Sequence, residues 1–492
     1  MKRLLLCLLV TCLWGHTAIS ATTVPHIMAY DLCVAQSGNN YTFTFYANTQ
    51  PVTGKLLFHT ITGDSLGEYT ISQALQSGYN SITIPASALP SSHSTIAWSM
   101  QLSAESNPQF GIIHEGEVCT RAYASINNNP ESDYFGHIYL ANRKGVGLCQ
   151  IHAFDYAYQP TFATGNEYLT FNSTGRPAID SEGYIYWPDW GDLKSGITIM
   201  DPVDFSEKQF FGGLQNDDNG AWYNAITQTD LGSSCSSVAI YGAGKDTKLY
   251  AMNEDVGEYQ QLPKKGFVVY QIGNEDGTIS RQWKNAPTQI VEVEDNNTNG
   301  NFAIIACSHG AWLCQHTLTN QVGTYALMFY DHQGMRQYAS TEATLINGSN
   351  GAGIAINRDE NLLAMVNADG NILLFDIVWE GDCPTLSLLT TYQTPFNAIG
   401  SMHFDYAGNL ITTSGNNFGG SKDDLRLVIY STPTDSNTIV VPARTSQFIQ
   451  RSGTNTFHTQ NPLQDISTPT KFLRNGHIYI LHNGRTYNVL GL

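Results

Sequence analysis

The sequence has little charge for its length, and most of the charge is negative. Only 13% of the 492 residues are charged, and 42 acidic side chains outnumber 24 basic ones, which gives a formal net charge of −18. Loss of Lys2 and Arg3 with a leader would leave −20. Because nucleic acids and anionic lipids are themselves negative, such a surface repels them. No nucleic-acid partner is therefore expected.

Long apolar runs are also missing after the first residues. Residues 1–21 have a basic start, an apolar stretch over 4–14 and small residues near Ala21, which is the pattern of a secretory signal peptide. The apolar stretch is too short to span a bilayer. Lipidation at Cys12 is a weaker alternative, because Thr11 stands where a smaller residue is usual. We expect an exported protein that does not span the membrane and is periplasmic, on the cell surface or secreted.

Windows long enough for an ordinary helix are absent from residues 121–443, because Gly, Pro, Asn or Asp interrupts nearly all of them. The region instead repeats short apolar strands and polar turns about every 40 to 65 residues. Such repeats predict a six-bladed β-propeller, because a blade is apolar on both faces and only its neighbours can cover it. The second and third strands of the six units are expected at 135–142 with 147–155, 183–189 with 196–202, 248–255 with 266–273, 301–310 with 324–334, 361–370 with 371–377, and 409–416 with 425–433.

The chain in front of the repeats, residues 24–120, also consists of predicted strands. Residues 40–46 alternate apolar and polar side chains, and further strands are expected at 55–61, 78–85 and 95–102. This spacing predicts a β-sandwich. Residues 444–492 form a C-terminal extension that ends in a predicted hairpin around Asn483 and Gly484. The predicted fold class is therefore all-β, with an N-terminal sandwich and a six-bladed propeller.

Three families resemble parts of this chain. Residues 121–142, 177–186 and 402–411 resemble the strand, turn and strand runs of NHL-type and YVTN-type propellers. The front domain resembles the immunoglobulin-like fold of bacterial surface and flagellar-hook-assembly proteins. The basic and aromatic tail, residues 470–491, is similar to the tails of exported Bacteroidota proteins, and this likeness implies secretion or surface display.

The Asp, Asn and Gly residues of the turns are predicted to be scaffold. Residues 180–183, 357–361 and 405–409 each begin with Asp or Asn, whose side chain accepts hydrogen bonds from the turn backbone, and contain Gly or Asn, which supply a positive φ.

Seven cysteines follow the leader, and an odd number leaves at least one unpaired. Cys33 and Cys119 lie near the two ends of the front domain, where they would form a disulfide or remain buried thiols. Cys307 and Cys314 are predicted to form a disulfide in the oxidising exterior. The alternative is a zinc site that adds His309 and His316 to the two thiols.

Polar and aromatic residues follow the predicted second strands, and we expect them to share one rim of the propeller. Amide and carboxylate groups beside Trp rings suit a carbohydrate, which offers hydroxyl pairs and an apolar C–H face. The alternative is that these Trp rings cap loops and the Asn residues form turns. The predicted ligand-binding residues are Asn142, Arg143, Asp189, Trp190, Asp192, Asn253, Glu254, His309, Trp312, Asn367 and Asn416.

The predicted function is non-catalytic binding of a glycan or of another surface protein at this rim. The alternative is a carbohydrate hydrolase or lyase, which needs two opposed carboxylates; Asp189, Asp192, Glu254 and Asp255 are candidates, but their spacing selects no pair. No standard catalytic motif occurs in a suitable context. The oligomeric state is left open.

Calcium is the second metal for which the sequence offers a candidate site, and the predicted cofactor if there is one. Asp295, Asn297 and Asn299 place oxygen ligands at alternate positions before Gly300, as in the opening of a calcium loop. The closing Glu of such a loop is missing, because its position holds Ala306. The alternative is an ordinary Asn-rich loop.

Overall fold

The structure is a computed structural model, and strands dominate it. In the part of the chain that it describes, three 3-10 helices of one turn occur, at Ala86–Ala88, Gly244–Asp246 and Thr445–Gln447. Within the described ranges no helix is long and apolar enough to cross a membrane. The residues that the structure describes are 23–91, 93–116, 122–142, 148–152, 158–159, 175–189, 196–202, 207–211, 215–216, 222–223, 235–253, 266–281, 287–293, 302–315, 325–340, 346, 348–349, 351–416, 426–451, 470–474, 477–482 and 485–489.

Six antiparallel four-stranded sheets form a closed ring, which confirms the predicted six-bladed β-propeller. The innermost strands of consecutive blades contact one another. The innermost strand of blade 6 contacts the innermost strand of blade 1, which closes the ring. From inner to outer, the strands of blade 1 are Ala122–Ile126, His137–Asn142, Leu148–His152 and Tyr158–Gln159; of blade 2, Ala178–Ile179, Ile185–Asp189, Gly196–Met200 and Glu207–Phe211; of blade 3, Val238–Tyr241, Lys248–Asn253, Gly266–Gln271 and Gln289–Glu292.

The remaining three blades repeat this order. Their strands are, for blade 4, Phe302–Cys307, Gly310–Gln315, Leu327–Asp331 and Arg336–Ala339; for blade 5, Ile354–Ile356, Leu362–Val366, Ile372–Glu380 and Cys383–Tyr392; and for blade 6, Ala398–Phe404, Leu410–Gly415, Arg426–Ser431 and, as the outer strand, Gly111–Gly116 from the front of the chain.

Two further sheets, built mostly from the chain before residue 104, pack face to face and form a sandwich. Phe43 of one sheet meets Trp98 of the other edge to face, with ring centroids 4.8 Å apart, and both rings are buried in a common apolar core. One sheet contains Ala29–Ser37, Asn40–Ala47 and Gly78–Pro85, and the other contains Ser65–Thr70, Thr53–His59, Thr95–Ser103, Thr438–Pro442 and Ile449–Gln450.

The strand pairing differs from the boundaries expected at residues 120 and 443. Gly111–Gly116 pairs with Arg426–Ser431 and completes blade 6, whereas Thr438–Pro442 returns to pair with Thr95–Ser103 in the sandwich. The physical reason is edge protection, because a propeller closed by a strand from the other end of its chain leaves no open seam. The propeller is thus inserted between the early and late strands of the sandwich.

The last three described strands of the C-terminal extension form one more sheet, which pairs with no other described strand. His477–His482 pairs antiparallel with Arg485–Val489, as the predicted hairpin requires, and Asn483 and Gly484 lie outside the described residues. A third strand, Thr470–Arg474, extends the hairpin on its other side. Two short strands, Gln215–Asn216 and Trp222–Tyr223, pair with each other between blades 2 and 3.

Candidate functional site

The propeller has two faces with different connections. We call the face with the turns between first and second strands the hairpin face, and the opposite face, with the connections between second and third strands, the loop face. The loop-face connections are unequal, from five residues at 143–147 and 367–371 to twelve at 254–265. Ligand sites usually occupy variable connections held by a rigid scaffold, which favours the loop face.

Asp and Asn side chains build the turns on the hairpin face, as the sequence predicted. Asp180 Oδ1 accepts the N–H groups of Glu182 and Tyr184 at 2.9 and 3.0 Å. Asn357 and Asp405 accept backbone N–H groups within their own turns in the same way. Gly183 and Gly408 adopt positive φ there. These residues are confirmed as scaffold.

Side chains on the hairpin face join each blade to the next around the whole ring. Every one of the six adjacent pairs of blades has at least one such contact. The contacts are Asn129 with the Ser181 carbonyl, Arg281 with Asp180, Tyr241 with Ser308, Ser308 with Glu360, Arg358 over the Tyr406 ring, and Asn128 with the Phe404 carbonyl. These contacts couple each blade to both of its neighbours on this face.

The front sandwich also docks on the hairpin face. His26 N–H donates to Asn409 Oδ1 in the first turn of blade 6, at 2.9 Å. Tyr30 packs against Phe135 in the first turn of blade 1, with ring centroids 5.7 Å apart, and both belong to the core of the sandwich. The sandwich thus covers part of the hairpin face at blades 6 and 1 and lies away from the loop face.

Of the seven predicted ligand residues that the structure describes, five lie on the loop face, at or just after the ends of second strands. Asn142, Asp189 and Asn253 are each the last residue of a second strand, in blades 1, 2 and 3. Arg143, Trp190, Asp192 and Glu254, which follow them, lie outside the described residues. Asn416 follows the second strand of blade 6 and is exposed, whereas Asn367 of blade 5 is buried. Asn367 Oδ1 accepts the N–H groups of Asp369 and Asn371, so its side chain forms a turn.

Blade 4 departs from the prediction for His309 and Trp312. Residues 302–307 are the first strand of this blade, not the second, so His309 lies in the two-residue turn on the hairpin face. Trp312 lies in the second strand and is fully buried against Phe329. The position equivalent to Asn142 is Gln315, which is buried. The two-residue turn followed by Gly310 was the signal of a hairpin between two apolar runs.

The predicted disulfide between Cys307 and Cys314 is wrong. Both thiols are free and buried. Cys307 pairs with Gly310 at the turn, but Cys314 lies opposite Ala303, four residues along the strand, which separates the two by roughly 13 Å. Burial raises the pKa of the Cys307 thiol to about 12 and that of Cys314 to about 11, so both are inert thiols. The same separation removes the alternative zinc site.

The predicted disulfide of the front domain and the predicted calcium site involve residues that lie partly or wholly outside the described part of the chain. Cys33 is a half-buried free thiol, and Cys119 lies outside the described residues. Asp295, Asn297 and Asn299, the predicted calcium ligands, also lie outside them. Among the described residues, no group of three or more His, Cys, Asp or Glu side chains is arranged to hold a metal ion.

The axis of the propeller is filled by side chains where the structure describes it. A cavity of about 10 Å³ remains between the inner strands, which is room for a single water molecule. Arg176 reaches across this region: its Nε donates to the Gly400 carbonyl at 2.6 Å and its Nη2 to the Gly351 carbonyl. His403 also lines the cavity, and burial lowers its pKa to about 4, so the imidazole is neutral at physiological pH. Arg176 therefore joins blades across the axis, and the cavity beside it is too small for a sugar.

Comparison with known proteins gives similarity of fold only. No protein-family model matches the chain, and no curated protein matches it. Solved structures do: a Bacteroides thetaiotaomicron protein of unknown function is 10% identical and covers 82% of this chain and 100% of its own, with a TM-score of 0.41. An auxiliary nutrient-binding protein of Bacteroides ovatus is 10% identical over 83% of this chain and 100% of its own, at 0.35. A gluconolactonase of Xanthomonas campestris is 12% identical over 68% and 90%, at 0.39.

Proposed function

We propose that this chain is an exported binding protein that holds a glycan or another surface protein on the loop face of its propeller without chemical turnover. In this proposal the propeller is of the NHL and YVTN type, the front sandwich is immunoglobulin-like, and a signal peptide at residues 1–21 directs export. The ligand would contact Asn142, Arg143 and their counterparts at the ends of the second strands.

The observation that carries the proposal is the contrast between the two faces. On the hairpin face, side chains of all six adjacent pairs of blades bind each other, and the sandwich covers part of that surface. On the loop face, connections of five to twelve residues follow the second strands. Side chains that join neighbouring blades, and the surface under the sandwich, are not open to a ligand, which favours binding on the face with the unequal connections.

The experiment is a glycan array with wild-type protein, run beside an assay for released reducing sugar. Trp190→Ala and Asn253→Ala test the loop face, and Asp359→Ala, at an exposed position on the hairpin face, is the matched control. Retention of a glycan without product, lost at least about tenfold in both loop-face variants but kept in the control, supports the proposal. Release of sugar would instead establish the hydrolase or lyase. If Asp359→Ala abolished binding and the loop-face variants retained it, the site would lie on the hairpin face, and the proposal would be wrong.

A further inference from the structure

The cavity at the propeller axis is lined only by positive and neutral side chains. It lies between the inner segments of blades 2 to 6, and its volume of about 10 Å³ admits one water-sized particle. Arg176 and His403 are the ionisable residues of the lining, and no described Asp or Glu belongs to it. This composition is unexpected in a chain whose 42 acidic side chains outnumber 24 basic ones.

Arg176 gives the lining a permanent positive charge. The residue is only 4% exposed, and a guanidinium does not lose its proton in a protein. Its Nε donates to the Gly400 carbonyl at 2.6 Å and its Nη2 to the Gly351 carbonyl, which fixes the group between blades. Burial lowers the pKa of His403 to about 4, so this imidazole adds no charge at physiological pH. The cavity therefore favours an occupant with a single negative charge.

Ser237 offers a hydroxyl proton to the same cavity. Arg176 and Ser237 form a parallel bridge between blades 2 and 3, and both line the cavity. Ser237 Oγ accepts the N–H of Ile304 at 3.2 Å, and the described chain has no acceptor within hydrogen-bonding distance of its own proton. The residue is 1% exposed, so bulk water does not supply one. Since a buried donor without an acceptor is destabilising, an occupant that accepts this proton would stabilise the fold.

We propose that the axial cavity binds a small monovalent anion, with chloride as the common representative, beside the guanidinium of Arg176 and as acceptor of the Ser237 hydroxyl. Water accepts the same hydrogen bond but brings no charge, whereas a buried cation is stabilised by an opposite charge near it. A halide ion is only slightly larger than water, so it matches the volume, and sulfate is too large. The anion would contact the inner segments of five blades and stabilise the closed ring, independently of any ligand on the loop face.

Thermal unfolding at constant ionic strength tests the site in solution. Sodium sulfate is replaced stepwise by sodium bromide, and the Tm of the wild type should rise by about 1–2 °C and level off as bromide reaches roughly ten times its dissociation constant. A non-specific salt effect has the opposite sign, because sulfate is excluded from protein surfaces and stabilises more than bromide.

Two serine variants locate the effect. Ser237→Ala should lose at least about half of the bromide-dependent rise in Tm, because the anion loses a donor. Ser340→Ala is the matched control: Ser340 Oγ accepts the N–H of Leu327 at 3.2 Å in a buried place after the outer strand of blade 4, away from the axis. It should keep the whole rise. Each variant is compared with itself in the two salts, so a loss of stability from the substitution does not affect the result.

Diffraction from wild-type crystals grown in bromide tests the site directly. We expect an anomalous peak in the axial cavity, beside Arg176 and within hydrogen-bonding distance of Ser237 Oγ. A cavity that holds only water would overturn the proposal. A bromide peak without the rise in Tm would mean binding at crystal concentration only, and would overturn it too. A rise that Ser237→Ala leaves unchanged would place the halide elsewhere in the molecule, with the same consequence.

Discussion

Glu360 accepts hydrogen bonds from the backbone N–H of Ser308, in the neighbouring blade, at 2.9 and 3.1 Å from its two carboxylate oxygens. It does so from a backbone with φ of 55°, a region that other residues than glycine seldom adopt. The equivalent places in the turns of blades 2 and 6 are Gly183 and Gly408. Blade 5 therefore keeps a strained backbone at a position where glycine would relieve the strain. In return, the Glu360 side chain provides the hydrogen bonds to Ser308 of blade 4.

Substitutions at Glu360 should separate the strain from the hydrogen bonds. Glu360→Ala keeps the strained backbone and loses the bonds to Ser308, so we expect a loss of about 1–2 kcal/mol in the free energy of unfolding. Glu360→Gly loses the same bonds but relieves the backbone, and should be about 1 kcal/mol more stable than the alanine variant. Chemical denaturation measures both, and Asp359→Ala, next along the turn, should change little. Equal stabilities of the Ala and Gly variants would contradict the assignment of strain.

Removing one partner of the ion pair between blades 2 and 3 should strongly lower the free energy of unfolding. Arg281 Nη2 lies 2.7 Å from Asp180 Oδ2, and the Asp180 side chain is fully buried. Burial already raises the pKa of Asp180 against the effect of Arg281. Arg281→Ala leaves an unpaired buried carboxylate, and we expect a loss of about 3–5 kcal/mol at neutral pH.

The dependence on pH gives this prediction its check. Without Arg281 the pKa of Asp180 rises further, and an acid with a raised native pKa loses stability as pH rises through that value. The deficit of Arg281→Ala should therefore shrink when thermal unfolding is measured at acidic pH. Glu182→Ala removes only the more exposed partner of the same guanidinium and should cost no more than about 1 kcal/mol. A deficit that does not change with pH would count against the mechanism.

Asn437 should be essential to the return of the chain from the propeller to the sandwich. Its Nδ2 donates to the carbonyls of Pro25 and Glu105, both at 2.9 Å, and its Oδ1 accepts the N–H of Ile27 at 2.7 Å. Asn437→Ala should cost about 2–4 kcal/mol, since three backbone groups lose their partner. Asn437→Asp should cost at least as much at neutral pH, because an oxygen would then face two carbonyl oxygens.

Amide hydrogen exchange shows which strands are destabilised by the Asn437 substitutions. Loss of Asn437 should increase exchange first in Thr438–Pro442 and in its partner strand Thr95–Ser103, before exchange rises in the blades. Thr438→Ala, at the exposed neighbouring position, serves as the control and should have little effect. An aspartate variant as stable as the wild type at neutral pH would show that the donor groups of Asn437 are not needed.

His403 should make the native state less stable in acid. Its pKa is lowered to about 4 by burial in the axis, whereas an unfolded histidine titrates near 6.5. As pH falls from 6.5 towards 4, the unfolded chain takes up a proton that the native chain does not, and native stability falls by at most about 3 kcal/mol. Asp405 acts in the opposite direction, because burial raises its pKa to about 6 and acid then favours its native form.

The difference between wild type and His403→Gln isolates the histidine from Asp405. We expect the stability of the wild type, relative to the variant, to decline between pH 6.5 and 4 in denaturant unfolding curves. A difference between the two proteins that stays constant over this pH range would mean that His403 does not titrate as its surroundings indicate.

Local patterns in the sequence were enough to predict the repeating parts of this fold. The turns at Asp180 and Asp405 were predicted correctly, because an Asx side chain binds the backbone of its own turn whatever surrounds it. The Trp312 prediction failed because residues 301–310 were taken as one second strand, although the two-residue turn before Gly310 divides them into a first and a second strand. Nothing local could show that Gln315 takes the place that Asn142 has in blade 1.

The sequence by itself determined the all-β class, the number of blades and the places of the turns, because strand periodicity and turn chemistry depend on neighbouring residues. Only the tertiary structure decided which strands meet across the chain. Gly111–Gly116 closes the ring with Arg426–Ser431, and Thr438–Pro442 completes the sandwich, because open edges gain hydrogen bonds from strands hundreds of residues away. The same long-range packing separated the two faces of the propeller and joined neighbouring blades by side-chain contacts on the hairpin face.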